Sequence, residues 1–239
     1  MAVRPRAALL APMPLELRPV VRAARLSRSG RPGPVRHVGA VGGWEVVAGL
    51  TGIGTARARA AAVAVLDATE VDHVVVVGIA GAVGATHGVG QAIAPVSVVD
   101  AATGRAFAPH PLGELVGLAG TLVTGDELIR DAARLADLEA DGVVALDMET
   151  AAVAEVCEER GVPWSVARAI SDVAGDDIVG DTVEGGLATA DGQPDLRAVL
   201  RYVGARPWRV AGLARVAGQA QRAAREAADL AVRSLRAGG

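Results

Sequence analysis

The chain contains no lysine, so all 24 of its basic residues are arginine. That absence removes Schiff-base catalysis and the phosphate-binding lysine of a Walker loop, both of which need an ammonium on a flexible stem. Cysteine occurs once, at Cys157, which excludes a disulfide framework within the chain. The four histidines, His37, His73, His87 and His110, are scattered without metal-ligand spacing, so no metal site is expected. Aromatic residues are scarce. Only Phe107, Tyr202, Trp44, Trp164 and Trp208 are available to stack a flat ligand. Long apolar runs are also missing: stretches such as Val74 to Val77 are far too short for a bilayer, and the Arg-bearing N-terminus has no signal-peptide h-region. A soluble cytoplasmic protein with no membrane partner is expected. With 27 acids the net charge is −3, and no basic surface advertises nucleic acid.

What is present is a 239-residue chain that is 51% hydrophobic, enough for a sizeable core in a single domain spanning 1–239. Its apolar runs are short, continuous and rich in Val, Ile and Ala, as in strands buried on both faces of a sheet. Strands are predicted at Ala7 to Ala11, Trp44 to Leu50, Val71 to Val77, Gln91 to Val99, Leu118 to Val123, Gly142 to Leu146 and Trp164 to Ile170. Helices are predicted at Leu15 to Leu26, Thr55 to Leu66 and Glu149 to Arg160, the last stopped by Gly161 and Pro163. This alternation predicts an α/β three-layer sandwich with a central mixed, mostly parallel twisted sheet flanked by helices. The segment 176–239 reads as loop plus helices. Gly175 to Pro194 forms the loop, Asp195 to Val203 a helix, and Trp208 to Leu235 an amphipathic helix packed on the sheet.

In open α/β sheets, ligands collect beyond the carboxyl ends of the strands. The chain places Pro12-Met13-Pro14-Leu15-Glu16, Thr51-Gly52-Ile53-Gly54, Gly78-Ile79-Ala80-Gly81, Thr124-Gly125-Asp126, Asp147-Met148-Glu149 and Ser171-Asp172 there. Each feature has a plainer reading. Glu16 and Glu149 suit the first turn of a helix as solvated acids, and Asp172 suits a turn or N-cap. The glycine turns serve equally as tight strand-to-helix connections. Arg168 says more, because a guanidinium inside a buried strand needs a carboxylate or an anion at the same rim.

The stretch Ala145-Leu-Asp-Met-Glu-Thr-Ala-Ala-Val-Ala through Val162-Pro-Trp-Ser-Val-Ala-Arg-Ala-Ile-Ser-Asp-Val-Ala resembles the nucleoside phosphorylase/nucleosidase superfamily. The likeness is strongest to the methylthioadenosine/S-adenosylhomocysteine nucleosidases. Leu50-Thr-Gly-Ile-Gly, Val77-Gly-Ile-Ala-Gly-Ala and Leu122-Val-Thr-Gly-Asp support it in the family's order, over residues 7 to 175. The resemblance implies hydrolysis of a purine nucleoside without metal or organic cofactor. It implies that Glu16 activates water, Met148 and Glu149 hold the ribose, and Asp172 protonates the purine N7, with Arg168 and Ser171 in support. Ile79 stands where a serine or similar small polar residue is usual near the attacking water, and Gly81 closes the same turn. Leu128 replaces a base-stacking phenylalanine, while Ile129 is retained to read the base edge through its backbone.

Phosphorylases of the superfamily place arginines around phosphate, including one where this chain has Val76. The charge mismatch at that position favours water. A futalosine hydrolase, a phosphate-dependent phosphorylase and a nucleoside-binding module without catalysis are the alternatives. A homo-oligomer, commonly a dimer, is implied, and the segment Ala106 to Leu112 reads as a surface loop, with contact to the 5′ substituent or to a partner subunit as the alternative.

Overall fold

Why continuous apolar runs become this fold is visible in the alternation of a single strand. In the computed structural model, which describes residues 4–117, 119–129, 131–173 and 210–238, the first strand is β1 (Arg6–Ala11). Ala7, Leu9 and Ala11 face one apolar layer while Ala8 and Leu10 face another, so every position but the first is buried. A half-exposed sheet would have shown alternating polarity instead.

The chain continues through α1 (Pro14–Ala23), β2 (Ser27–Arg28), β3 (Val35–Val41), β4 (Trp44–Leu50), α2 (Thr55–Ala68), β5 (His73–Ala82), β6 (Ala92–Ile93), β7 (Pro95–Asp100) and β8 (Ala106–Phe107). There follow β9 (Ala119–Thr124), α3 (Ala132–Ala140), β10 (Val143–Asp147), α4 (Thr150–Arg160), β11 (Trp164–Val173) and α5 (Val210–Ala237). Among the described residues these strands form one 11-stranded sheet, ordered β2-β3-β4-β1-β5-β10-β9-β7-β8, with β11 pairing β5 and β6. The long central pairings β4-β1, β1-β5 and β5-β11 are parallel, as are β10-β9 and β7-β9. Antiparallel pairs occur at the margins and where the end of β5 meets β10.

Helices cover both faces. One apolar layer joins β1 and β5 to Leu17 and Val20 of α1 and to Ala223, Ala227 and Ala231 of α5. The other joins them to Ala58, Ala62 and Val65 of α2 and to Val153, Ala154 and Cys157 of α4. Alanine at these positions lets helix and sheet backbones approach closely, with little side chain to order.

Several boundaries differ from the sequence expectation, each for a local reason. The expected strand Gln91 to Val99 is two strands, because the chain changes partner at Ala94 from β11 to β9. The carbonyl of Ala94 accepts from the Ala119 N–H at 3.0 Å, and Pro95, which has no N–H, opens β7. The helix expected to reach Leu26 ends at Ala23, and Arg25 adopts a left-handed φ of 53° that turns the chain into β2. Glu149 precedes α4 as its N-cap and is not its first helical residue, while Gly161 caps the other end with φ 64° as expected. Asp172 lies within β11, which runs to Val173.

The segment Ala106 to Leu112 is not a free surface loop. Phe107 and Leu112 are buried, the His110 N–H donates to the Trp164 carbonyl at 2.7 Å, and the Ser165 hydroxyl donates to the His110 carbonyl at 2.6 Å. The expectations for 175–194 and 195–203 lie outside the described residues. The amphipathic C-terminal helix is present from Val210 and packs on α1, β5 and β11. None of the described helices is long and apolar enough to cross a membrane.

Candidate active site

The site grows from the connection between β1 and α1. Pro14 opens the helix at its first position, where a missing N–H costs nothing. Glu16 therefore falls at the third, where its Oε2 accepts from the Met13 N–H at 2.9 Å, half of a capping box. Its other oxygen turns inward and accepts from the Ile79 N–H of β5 at 2.9 Å. The side chain is 1% exposed, so the solvated first-turn acid is not what forms.

Arg168 is the centre of the arrangement. It is 0% exposed, on β11 opposite Gly78 of β5. Its Nη1 donates to the Ile79 carbonyl at 3.2 Å and lies 3.8 Å from Glu16 Oε1. Its Nη2 donates to Asp147 Oδ2, to Glu149 Oε2 at 3.3 Å and to Thr150 Oγ1 at 3.0 Å. The expected acidic partner of this guanidinium is thus three carboxylates, brought from α1, from the end of β10 and from the N-cap of α4. Gly78 leaves these groups room. A Cβ at this position would stand 2.3 Å from Arg168 Nη1 and 2.4 Å from Glu16 Oε1, closer than atoms can come.

Glu149 is fixed on its other side by the turn after β4, where the Gly54 N–H, at a φ of 94°, donates to Oε1 at 3.1 Å. That turn is itself held from the turn that follows β9. Asp126 accepts from the Thr55 N–H at 2.8 Å and from the Thr55 hydroxyl at 2.5 Å, capping α2 from outside the helix. Asp147 was given no role from the sequence, yet it anchors the guanidinium. It accepts from Thr124 Oγ1 at 2.5 Å, from the Thr150 N–H at 3.2 Å and from the Thr150 hydroxyl. Its position two residues before Glu149, at a strand's carboxyl end, was the signal available.

Burial dominates the electrostatics. It pushes the Glu16 carboxyl up to about 7, against the lowering effects of Arg168 and of the Ile79 and Met13 N–H groups. Burial likewise pushes Glu149 up to about 8, opposed by Arg168 and aided by the charges of Asp147 and Glu16. Burial acts against the charge of Arg168, but Asp147, Glu149 and Glu16 together more than offset it, so the guanidinium holds its proton more firmly than in water.

A second cluster adjoins the first along β5 and β11. A bulge between Ile170 and Asp172 sets Asp172 opposite Gly81, where a Cβ would lie 3.3 Å from Asp172 Oδ2. The Ser171 hydroxyl donates to Asp172 Oδ1 and lies 3.4 Å from the Ala80 carbonyl. Asp172 is half-buried. Ile79 and Gly81, the anchors of the two clusters, are two residues apart on one strand, roughly 7 Å.

Met148 is half-buried and Ile129 buried at the same end of the sheet, outside both hydrogen-bonded clusters, and Leu128 is 41% exposed. Among the described residues, no group of three or more His, Cys, Asp or Glu is arranged to hold a metal ion.

Comparison with known proteins identifies the chain's relatives and its fold. A family profile described as the phosphorylase superfamily matches residues 6–201. A 5′-methylthioadenosine/S-adenosylhomocysteine nucleosidase of Chromohalobacter salexigens is 33% identical over 172 residues, covering 60% of this chain and 73% of that protein. The crystal structure of the nucleosidase of that name from Neisseria meningitidis, in complex with methylthio-immucillin-A, superposes with a TM-score of 0.70 at 19% identity over 98% of this chain and 99% of its own. The futalosine hydrolase structure of Helicobacter pylori superposes with a TM-score of 0.69 at 17% identity, covering 97% of each chain, and shares the fold. With the profile covering most of its length and a relative matched over more than two thirds of that relative, this chain belongs to the phosphorylase superfamily and, within it, to the family of the 5′-methylthioadenosine/S-adenosylhomocysteine nucleosidases.

Proposed function

We propose that the protein hydrolyses the N-ribosidic bond of a purine nucleoside of the 5′-methylthioadenosine/S-adenosylhomocysteine type, releasing the free base and the ribose derivative. The observation that carries this reading is the meeting of Glu16 and Glu149, from distant segments, on the buried guanidinium of Arg168. Breaking the bond builds positive charge on the sugar and negative charge on the departing base, so carboxylates belong beside the sugar and an acid beside the base.

Glu16 is assigned to take a proton from water as the oxygen attacks the anomeric carbon. A carboxyl near 7 is poised for that exchange, and the Ile79 N–H orients it although the Ile79 side chain offers no polar atom. Glu149, flanked by Met148, is assigned to bind the vicinal hydroxyls of the ribose. Asp172 is assigned to protonate N7 of the base, with the Ser171 hydroxyl orienting it and Gly81 leaving it room. Ile129 is assigned to the base edge.

Water is favoured over phosphate by the charge balance. The one guanidinium of the cluster is already matched by three carboxylates, and Val76 is an apolar core residue. We also infer a cytoplasmic homo-oligomer, to be checked by light scattering on a sizing column.

The test is release of adenine from 5′-methylthioadenosine and S-adenosylhomocysteine in phosphate-free buffer, with futalosine as comparator. Turnover without phosphate is expected, and its near abolition in Asp172→Asn. Strict dependence on phosphate would transfer the chain to the phosphorylases, preference for futalosine would replace the substrate, and ligand binding without turnover would leave a binding module.

A further inference from the structure

Among the described residues, some arginines have an acidic partner and others, Arg25 and Arg57 included, have none. Arg6, Arg59, Arg160 and Arg233, among others, pair with carboxylates. Arg18 and Arg22 of α1, Arg28 of β2, Arg31 of the turn after it and Arg36 of β3 pair with none among the described residues. Yet all five line one cleft of about 550 Å³ between α1 and the β2-β3 pair. Among the described residues no carboxylate lines that cleft, in a protein whose net charge is −3.

The rest of its wall includes Leu17, Val21, Val35 and Leu50, with the imidazole of His37 between the arginines. His37 pairs across the strands with Arg28, and its Nδ1 is shielded from solvent without a hydrogen-bond partner. Burial, then the charges of Arg28 and Arg36, hold the His37 pKa below its ordinary value, as expected where cations gather unopposed.

All five are exposed, and no described carboxylate pairs with the positive charge they bring to this cleft. Guanidinium forks match phosphate oxygens in pairs, and an apolar wall beside them suits an organic body. We propose that this cleft binds a small phosphate ester with an apolar or aromatic body, of the nucleoside di- or triphosphate class. It is a second site. Pro14, Leu17, Arg18, Val21 and Arg22 share one face of α1 by their i, i+3, i+4 spacing, and Glu16 projects from the opposite face toward Ile79. The proposal does not depend on the hydrolytic reading.

The experiment is calorimetric titration of the free full-length protein with uridine triphosphate and with inorganic triphosphate, without nucleoside or divalent cations. Uridine triphosphate is chosen because its pyrimidine is foreign to a purine site. Saturable binding is expected, with uridine triphosphate at least about 10-fold tighter than inorganic triphosphate, because only the ester reaches the apolar wall. The double variant Arg28→Gln/Arg36→Gln should weaken it at least about 10-fold, while Arg134→Gln leaves it unchanged. Nucleoside turnover in the double variant should match the parent, and the His37 resonance should titrate at higher pH when uridine triphosphate is bound. Absence of saturable binding, undiminished binding in the double variant, inorganic triphosphate binding as tightly as the ester, or a preference for an oligonucleotide or anionic vesicles would each overturn the proposal.

Discussion

Replacing Arg168 by methionine keeps a long unbranched side chain in β11 and removes the only cation that the described residues bring to the buried cluster. Three carboxylates, at 3.8 Å or closer, then lose their counter-charge. Removing one partner of a buried ion pair typically costs about 3–5 kcal/mol. In a chain of this length each kcal/mol moves the melting midpoint by about 2–4 °C, so the loss is roughly 6–20 °C. The loss should depend on pH in a particular direction. At about pH 6, Glu16 and Glu149 are largely protonated in the parent, so the variant suffers mainly through Asp147. As pH rises through about 7 and 8 these two acids ionise in the parent beside the guanidinium, but without it they stay protonated while the unfolded chain is ionised. The gap between parent and variant should therefore widen toward about pH 9. Circular-dichroism melts at both pH values, with the exposed Arg59→Met as control, measure it. A loss no larger than the control's, about 1 kcal/mol or less, or a gap that does not grow with pH, would refute the claim that Arg168 balances the cluster.

Gly78→Ala puts a methyl group against Glu16 and Arg168, so turnover should fall about 10²-fold and stability by about 1–3 kcal/mol, whereas Gly30→Ala, with open space around it, should change neither. Activity should decline as pH falls through about 7, when Glu16 takes up a proton, and a kcat/KM profile of Glu149→Gln that lacks this limb would reassign it. His73, whose Nε2 lies 2.6 Å from Ser165 Oγ, is held near 4 by burial, so the unfolded chain binds a proton below about 6.5 that the folded chain refuses. Its stabilisation is whole above that pH and is lost as pH falls toward 4. Between about pH 7.5 and 5 the parent should lose about 2 kcal/mol more than His73→Gln in urea titrations, and equal losses would exclude this origin.

The strands of the central sheet were legible because burial on both faces leaves continuous runs such as Val74 to Val77, and Gly161 marked a helix end because few other residues tolerate its φ. The hairpin strand β3 was not legible. It lies toward an edge, mostly exposed, and its residues Val-Arg-His-Val-Gly-Ala-Val show no clean period. Nor was α3, which buries none of its residues fully and is announced only by Asp131, whose carboxylate accepts from the Arg134 N–H. At the site, residue types and spacing pointed to the rim but not to side-chain direction. A glutamate in a first turn has the same sequence context whether it meets water or a backbone N–H. What turns Glu16 and Glu149 inward is Ile79, 63 residues away, and Gly54, 95 residues away. Asp147 stayed hidden for the same reason, since its partners are assembled by the sheet.

The guanidinium between β5 and β10 has one more implication. The carboxylates assigned to water and to the ribose also help knit four remote stretches of backbone into a single cooperative block. Such a centre cannot loosen by itself to admit a new reaction, because whatever relaxes it also unravels the middle of the molecule. Variation in what the protein accepts is accordingly expected at the periphery, at positions such as Leu128 and Met148 that border the clusters without being bonded into them.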